Sequence, residues 1–296
     1  MTPILINAKT LKEEEITSLK DEVLEIVYEI DRRPKLVIVK ATDDKACEAY
    51  IRNKVRFGEE VGIEVEVVEI PYGTSEQDVL IEIMALVSDE DVDGVILQLP
   101  VYKYLDKDYL ISAIPPEKDG DCFSIENLGR VLQGNGDILP CTPAGVLDIL
   151  DNHLVKLEGS RVTIIGRSTH VGMSLGVLLT QRGAVTRITH SKSPSLEEDI
   201  RGADIVISCV GKKNLILPEW MKKGSVLLGV GIVFEDGKQY TDYDVDRMLS
   251  ESKCSLVGDR INCTGVTTVM NLIKNTIKLC KKNNSIIEEG DNEENR

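Results

Sequence analysis

Residues 161–172, Arg-Val-Thr-Ile-Ile-Gly-Arg-Ser-Thr-His-Val-Gly, constrain the fold more than any other stretch. Residues of β character run into Gly166, a second glycine stands at Gly172, and an apolar helical run follows from Met173 to Leu179. A strand, a glycine turn and a helix start, in that order, build a site for a dinucleotide pyrophosphate. Glycine lets the backbone approach phosphate closely, and the helix start offers unpaired N–H groups and a positive dipole end. The spacing differs from Gly-x-Gly-x-x-Gly, so taken alone the stretch also reads as an ordinary strand-to-helix turn.

At 296 residues, 42% of them hydrophobic, the chain is long enough for two globular domains. No apolar run approaches the roughly 20 residues that span a bilayer. The start, Met-Thr-Pro-Ile-Leu-Ile-Asn, lacks the basic segment of a signal peptide. Seven cysteines without a Cys-x-x-Cys pair fit reduced thiols in a cytoplasm. His153, His170 and His190 are too dispersed for a metal cluster, and no metal is expected. A net charge of −15 argues against a general nucleic-acid binder, yet permits a local basic pocket for a small anion.

Periodicity predicts a helix over 10–31, ended near Pro34, and then a buried strand at 36–39. A helix at 44–62, a strand at 64–70, a helix at 75–88 with Ser75 as N-cap and a strand at 94–99 follow. Residues 115–142, rich in Pro, Gly and Asp, read as loop and linker, and Pro143 as the opening of a helix to about 155. A second alternating series has strands at 161–166, 185–190, 204–210, 225–230 and 254–258 and a last helix at 266–281. Strand and helix in alternation imply parallel sheets covered by helices. The acidic tail from Asn283 reads as frayed.

Tyr50 and Lys54 lie four residues apart on one face of a predicted helix. Gln98 falls near the carboxyl end of a strand, the edge at which open α/β sheets bind ligands, and Asp121 lies in the loop Lys118-Asp-Gly-Asp-Cys-Phe123. Singly, these are a solvated lysine, a locally bonded glutamine and a turn former. Together they supply a proton-transfer group, a neutral group to orient it, a flat aromatic face and a carboxylate for ring N–H groups.

Five motifs occur in order: Tyr50-Ile-Arg-Asn-Lys54, Asp93-Gly-Val-Ile-Leu-Gln-Leu-Pro100, Lys118-Asp-Gly-Asp121, Leu139-Pro-Cys-Thr-Pro-Ala-Gly145 and Gly166-Arg-Ser-x-x-Val-Gly172. In these the chain resembles the methylenetetrahydrofolate dehydrogenase/methenyltetrahydrofolate cyclohydrolase family over roughly residues 3–280. The resemblance implies that Lys54 promotes attack of water on the methenyl carbon and that Gln98 positions it. It also implies that Tyr50 packs against the folate, that Asp121 holds the pterin ring, and that a hydride passes from the folate methylene to a nicotinamide. A homodimer is implied too.

The predicted strand 185–190 ends in His190-Ser191-Lys192, with no Asp or Glu to bind a ribose 2′-hydroxyl. With Arg167 in the preceding turn, the charge favours NADP over NAD, and the resemblance assigns Arg167, Ser168 and Ser191 alike. Gly166 and Gly172 would serve the pyrophosphate, and Ile232 the nicotinamide end. The expected architecture is α/β in two domains. Residues 1–142 form an N-terminal folate domain completed by helix 266–282, residues 143–265 a Rossmann-type NADP domain with a parallel sheet, and 283–296 a tail. The pattern departs at Cys47, where Ser is usual, at Ser174 (Pro), at Gly229 (Asp), and over 261–268, where only Gly265 and Thr268 match. The last departure leaves open a chain with one of the two activities. A non-catalytic nucleotide-binding regulator is the alternative of another class.

Overall fold

Eleven strands and ten helices are described in a computed structural model covering residues 3–235 and 238–286. The order is β1 (Ile4–Ile6), α1 (Lys9–Ile30), β2 (Lys35–Lys40), α2 (Lys45–Val61), β3 (Glu64–Glu69), α3 (Glu76–Ser88), β4 (Gly94–Gln98), α4 (Lys107–Ile111) and α5 (Ile125–Gln133). Then come α6 (Cys141–Asn152), β5 (Arg161–Ile165), α7 (Ser174–Gln181), β6 (Val185–Thr189), α8 (Leu196–Arg201), β7 (Ile205–Ser208) and β8 (Val226–Gly229). The hairpin β9 (Ile232–Glu235) and β10 (Lys238–Thr241), α9 (Val245–Glu251), β11 (Leu256–Gly258) and α10 (Thr264–Asn283) complete it. The chain divides into two compact units. One holds Glu14–Asn127 and Leu272–Arg296, the other Met1–Glu13 and Leu128–Asn271.

The first unit is built on a three-stranded parallel sheet ordered β3-β2-β4. Leu36-Val-Ile-Val39 is buried on both faces, as a continuous apolar run in a parallel strand requires. Val37, Val39, Val95 and Leu97 pack with Val79 and Ile83 of α3 and Leu110 and Ile111 of α4. On the opposite face Gly120 lies against Ile96, Leu36 and Leu272 of α10, and Gly94 against Thr276. Each such buried aliphatic side chain contributes about 1.5–3 kcal/mol. Ser75 caps α3 by accepting from the Asp78 N–H, as its sequence position predicts. Beyond β3 and β4, Tyr72, Tyr102 and Tyr104 interlock, with ring centroids 5.2–5.7 Å apart, and clasp the two loops together.

The second unit carries a six-stranded parallel sheet in the order β1-β11-β8-β7-β5-β6. Ile165, Val206, Leu227 and Val257 meet Ile200 of α8 and Val245 and Met248 of α9 on one face. On α7, Gly176 brings the helix against Ile164 and Ile188. The chain runs from β5 to β6 on one side, then returns to β7 on the other side of β5. The order therefore reverses between β5 and β7, and the crevice at their carboxyl ends is where such sheets bind ligands.

The boundaries differ from the sequence expectation of 1–142 and 143–265. Residues 1–13 belong with the six-stranded sheet because Ile4, Leu5 and Ile6 pair with Leu256, Val257 and Gly258, and residues 128–142 fall in the same unit, where Gln181 Nε2 of α7 donates to Val131 O at 2.8 Å. Three residues are too short for periodicity to flag. The stretch 115–142 is also more regular than a loop and linker: it includes α5, and α6 opens at Cys141, two residues before Pro143. The short helices α4, α8 and α9 and the β9–β10 hairpin are further elements that the periodicity does not predict. The last helix starts at Thr264 rather than 266, and the tail beyond 286 lies outside the described residues.

Candidate active site

On α2 the buried residues Cys47, Ile51, Lys54, Gly58 and Val61, flanked by Phe57, recur at steps of four and three, the stripe of a helix pressed on a sheet. Lys54 thus stands where an apolar residue is expected and is only 5% exposed. A buried ammonium requires a partner. Its Nζ donates to Oε1 of Gln98 at 3.0 Å, and it lies 5.6 Å from the centre of the Tyr50 ring. Gln98 ends β4, opposite Lys40 of β2, and is itself buried. Its Nε2 donates to the Leu99 carbonyl at 2.8 Å, which turns Oε1 toward the lysine. The partner is a neutral amide, so the lysine is held without an added negative charge.

Asp121 is half-buried on the segment that follows a short 3-10 turn, Pro116–Lys118. Val95 and Asp119 form a parallel bridge, so the segment sets out toward the same carboxyl edge as β4. Its shape is fixed by the buried Asp119 carboxylate, which accepts from Phe123 N (3.0 Å), Ser124 N (2.7 Å) and Asn127 Nδ2 (3.1 Å). Asn275 Nδ2 donates to Gly120 O at 2.9 Å. Cys122, directly after Asp121, has φ +60°, a left-handed conformation costly for a side chain with a Cβ. Tyr50, Lys54 and Gln98 are therefore brought together in one cluster, and Asp121 is presented separately by a braced loop.

In the second unit β5 is followed by Gly166, whose φ of +118° suits glycine alone and whose N–H donates to Thr189 O at 2.8 Å. The chain then winds through a π-helical turn, Thr169–Met173, in which Met173 N reaches Ser168 O at 3.0 Å, before α7 begins. A Cβ on Gly172 would fall 2.2 Å from the Gly166 carbonyl oxygen, so both ends of the turn touch backbone to backbone. Arg167, Ser168 and Thr169 are exposed on this turn. Ser191 and Lys192 are exposed beyond β6, the neighbour of β5, in a turn tied by His190 N to Ser193 Oγ (3.0 Å) and Lys192 N to His190 Nδ1 (3.2 Å). Ile232, 38% exposed, opens β9 just after Gly231, where a Cβ would strike Gly211 N at 2.2 Å.

Asp242 was not singled out from the sequence. It is fully buried and accepts from Ser208 Oγ (2.5 Å), Val210 N (3.2 Å) and Lys212 N, tying down the loop after β7. Nothing in Tyr-Thr-Asp-Tyr-Asp distinguishes it locally from Asp244, which only caps α9. At Gly229 an added Cβ would lie 2.2 Å from Thr241 Oγ1 and 3.0 Å from the Tyr243 ring, so those two side chains fill the space. Of the 261–268 stretch, residues 264–268 open α10, and 261–263 lead into it. Thr264 Oγ1 donates to Gly229 O (2.8 Å), Thr268 Oγ1 to Thr264 O (2.8 Å), and Thr267 packs on Gly145. No group of His, Cys, Asp or Glu suited to a metal ion is present among the described residues, and no described helix is long and apolar enough to cross a membrane.

A parallel sheet with a glycine turn at its reversal point, in one chain with a smaller α/β unit carrying a buried lysine and glutamine, defines a two-domain α/β enzyme of the nucleotide-dependent class. The chain belongs to the tetrahydrofolate dehydrogenase/cyclohydrolase family: the family's catalytic domain matches residues 6–121 and its NAD(P)-binding domain residues 140–284. It is 34% identical to the bifunctional protein FolD of Methanoculleus marisnigri, over 94% of this chain and 96% of that protein. It is 35% identical to FolD of Oceanobacillus iheyensis, over 95% and 98%. The Campylobacter jejuni FolD structure superposes with a TM-score of 0.89 at 29% identity, covering 94% of this chain and 99% of that one. The Trypanosoma brucei enzyme, solved with NADP and an inhibitor, gives 0.90 at 27%, covering 95% and 98%. The chain is accordingly an enzyme of folate one-carbon metabolism in the dehydrogenase/cyclohydrolase class.

Proposed function

We propose that this chain oxidises 5,10-methylenetetrahydrofolate with NADP and hydrolyses the resulting 5,10-methenyl compound to 10-formyltetrahydrofolate. The observation that carries the reading is the buried 3.0 Å bond from Lys54 Nζ to Gln98 Oε1. Lys54 acts at the attack of water on the methenyl carbon. Gln98 fixes Nζ at the reaction centre, Tyr50 offers its ring to the folate, and Asp121 accepts from N–H groups of the pterin.

The Gly166–Gly172 turn fits a dinucleotide, since its two glycines leave bare backbone where a side chain would collide. NADP supplies the hydride acceptor when bound. Gly166 and Gly172 would hold its pyrophosphate, Arg167, Ser168 and Ser191 its 2′-phosphate, and Ile232 its nicotinamide end. Arg167→Ala is expected to weaken NADP far more than NAD, as titration of each would read.

All seven cysteines are free thiols, in keeping with a cytoplasmic location. A homodimer at micromolar concentration is the expected assembly, and a monomer in sedimentation would refute it. The decisive experiment assays both reactions for wild type and Lys54→Met. Both activities in the wild type, with hydrolysis lost in the variant, support the proposal. Hydrolysis without oxidation would favour the one-activity reading and implicate the 261–268 segment. Neither activity would favour the regulator.

A further inference from the structure

The Leu99 carbonyl accepts two hydrogen bonds. Gln98 Nε2 donates one at 2.8 Å and the Cys47 thiol the other, Sγ to O 3.4 Å. Leu99 lies one residue past the end of β4, so the sheet ladder does not hold this carbonyl. Cys47 and Lys54 stand two turns apart on the same buried stripe of α2. The helix therefore meets the strand exit twice, by a thiol on the backbone and by an ammonium on the glutamine. A primary amide can be turned over with little change in shape, and one orientation would face its NH2 to the lysine, donor against donor. The Leu99 carbonyl selects the other by receiving the Gln98 NH2.

We propose that Cys47 is a positioning residue for the hydrolytic step: its thiol fixes the Leu99 carbonyl, which orients the Gln98 amide, which holds Lys54. This rests on the role proposed above for Lys54. The thiol is 6% exposed. Burial pushes it above the ordinary cysteine range, Asp44 adds to the effect, and Lys54 and Lys40 oppose it, so at neutral pH it keeps the proton that it donates.

The test compares Cys47→Ala, Cys47→Val and Cys47→Ser with wild type and Lys54→Met, measuring kcat and KM for methenyltetrahydrofolate hydrolysis across pH, with melting temperature alongside. Alanine and valine both remove the donor, valine keeping the volume. Each is expected to lower kcat roughly fivefold, the size of one neutral hydrogen bond, with KM little changed and the pH–rate profile displaced. Serine, which restores a donor, is expected to recover wild-type kcat and profile. Wild-type kcat and profile in alanine and valine would overturn the proposal. So would an equal loss in serine, which would reduce Cys47 to packing. Hydrolysis retained in Lys54→Met would instead show that the underlying reading had failed, and the role of Cys47 with it.

Discussion

The two halves of the chemistry are built from different materials. Around Lys54 the working parts are side chains on a regular helix and a regular strand. Around Gly166 the working part is the backbone itself, and what matters is the absence of side chains. A side-chain site tolerates change in shape but not in functional group. A backbone site tolerates neither a methyl group nor a shifted φ. The first should lose chemistry without losing stability, and the second should lose both.

Lys54→Met tests that contrast most sharply. It should cut hydrolysis about a hundred- to ten-thousandfold, the range for a lost acid–base group, while urea unfolding shows no loss of stability. A stability loss in step with activity would erase the distinction. Asp242→Ala orphans the Ser208 hydroxyl and two backbone N–H groups, and should cost about 3–5 kcal/mol in urea unfolding, at about 1–3 kcal/mol for each buried donor less some relaxation. Gly172→Ala should cost about 1–3 kcal/mol by overpacking and weaken NADP binding in titration. Retained affinity would remove the turn from the nucleotide site. Gly229→Ala should destabilise by about 1–2 kcal/mol, and Thr241→Gly in the same chain should recover much of it, a coupling that a double-mutant cycle reads directly.

The smallest effect belongs to an exposed pair. Lys222 and the Arg161 N–H hold the Asp204 carboxyl below its ordinary range. Because the folded pKa is depressed, this stability is present above the unfolded value, about 3.9, and is lost as pH falls through the folded one. Both side chains are more than a third exposed, so screening limits it. Asp204→Asn should cost less than about 1 kcal/mol at pH 7, and the difference should vanish in acid-unfolding curves at low pH.

Long elements were legible because period and length agree: α2 and β2 each carry a pattern that only one conformation buries. The Gly166 turn was legible because glycine is needed there. Lys54 and Gln98 could be paired through the resemblance, and α2 held a further sign in the lysine interrupting its apolar stripe at Cys47, Ile51, Gly58 and Val61. What escaped depends on distant partners. Strand β1 exists because β11 offers an edge, and Asp242 matters because three donors arrive from the end of β7 and the loop beyond it. Neither reason is written in local sequence. The last helix begins two residues before its apolar pattern does, with the Thr264 hydroxyl bonded to the Gly229 carbonyl, a partner far away in the chain.

The pairing of Ile4 with Leu256 has a consequence for synthesis. Strand β1 is made long before its neighbour, since β11 follows it at Leu256–Gly258. The other unit also waits, because α10 supplies Leu272 and Thr276 to its sheet. A nascent chain halted before residue 256 would leave β8 an open edge and the three-stranded sheet without the side chains that α10 lays on it. Completion of the two units therefore waits until β11 and α10 have been translated, and shielding of those surfaces in the interval falls to whatever meets the chain at the exit tunnel.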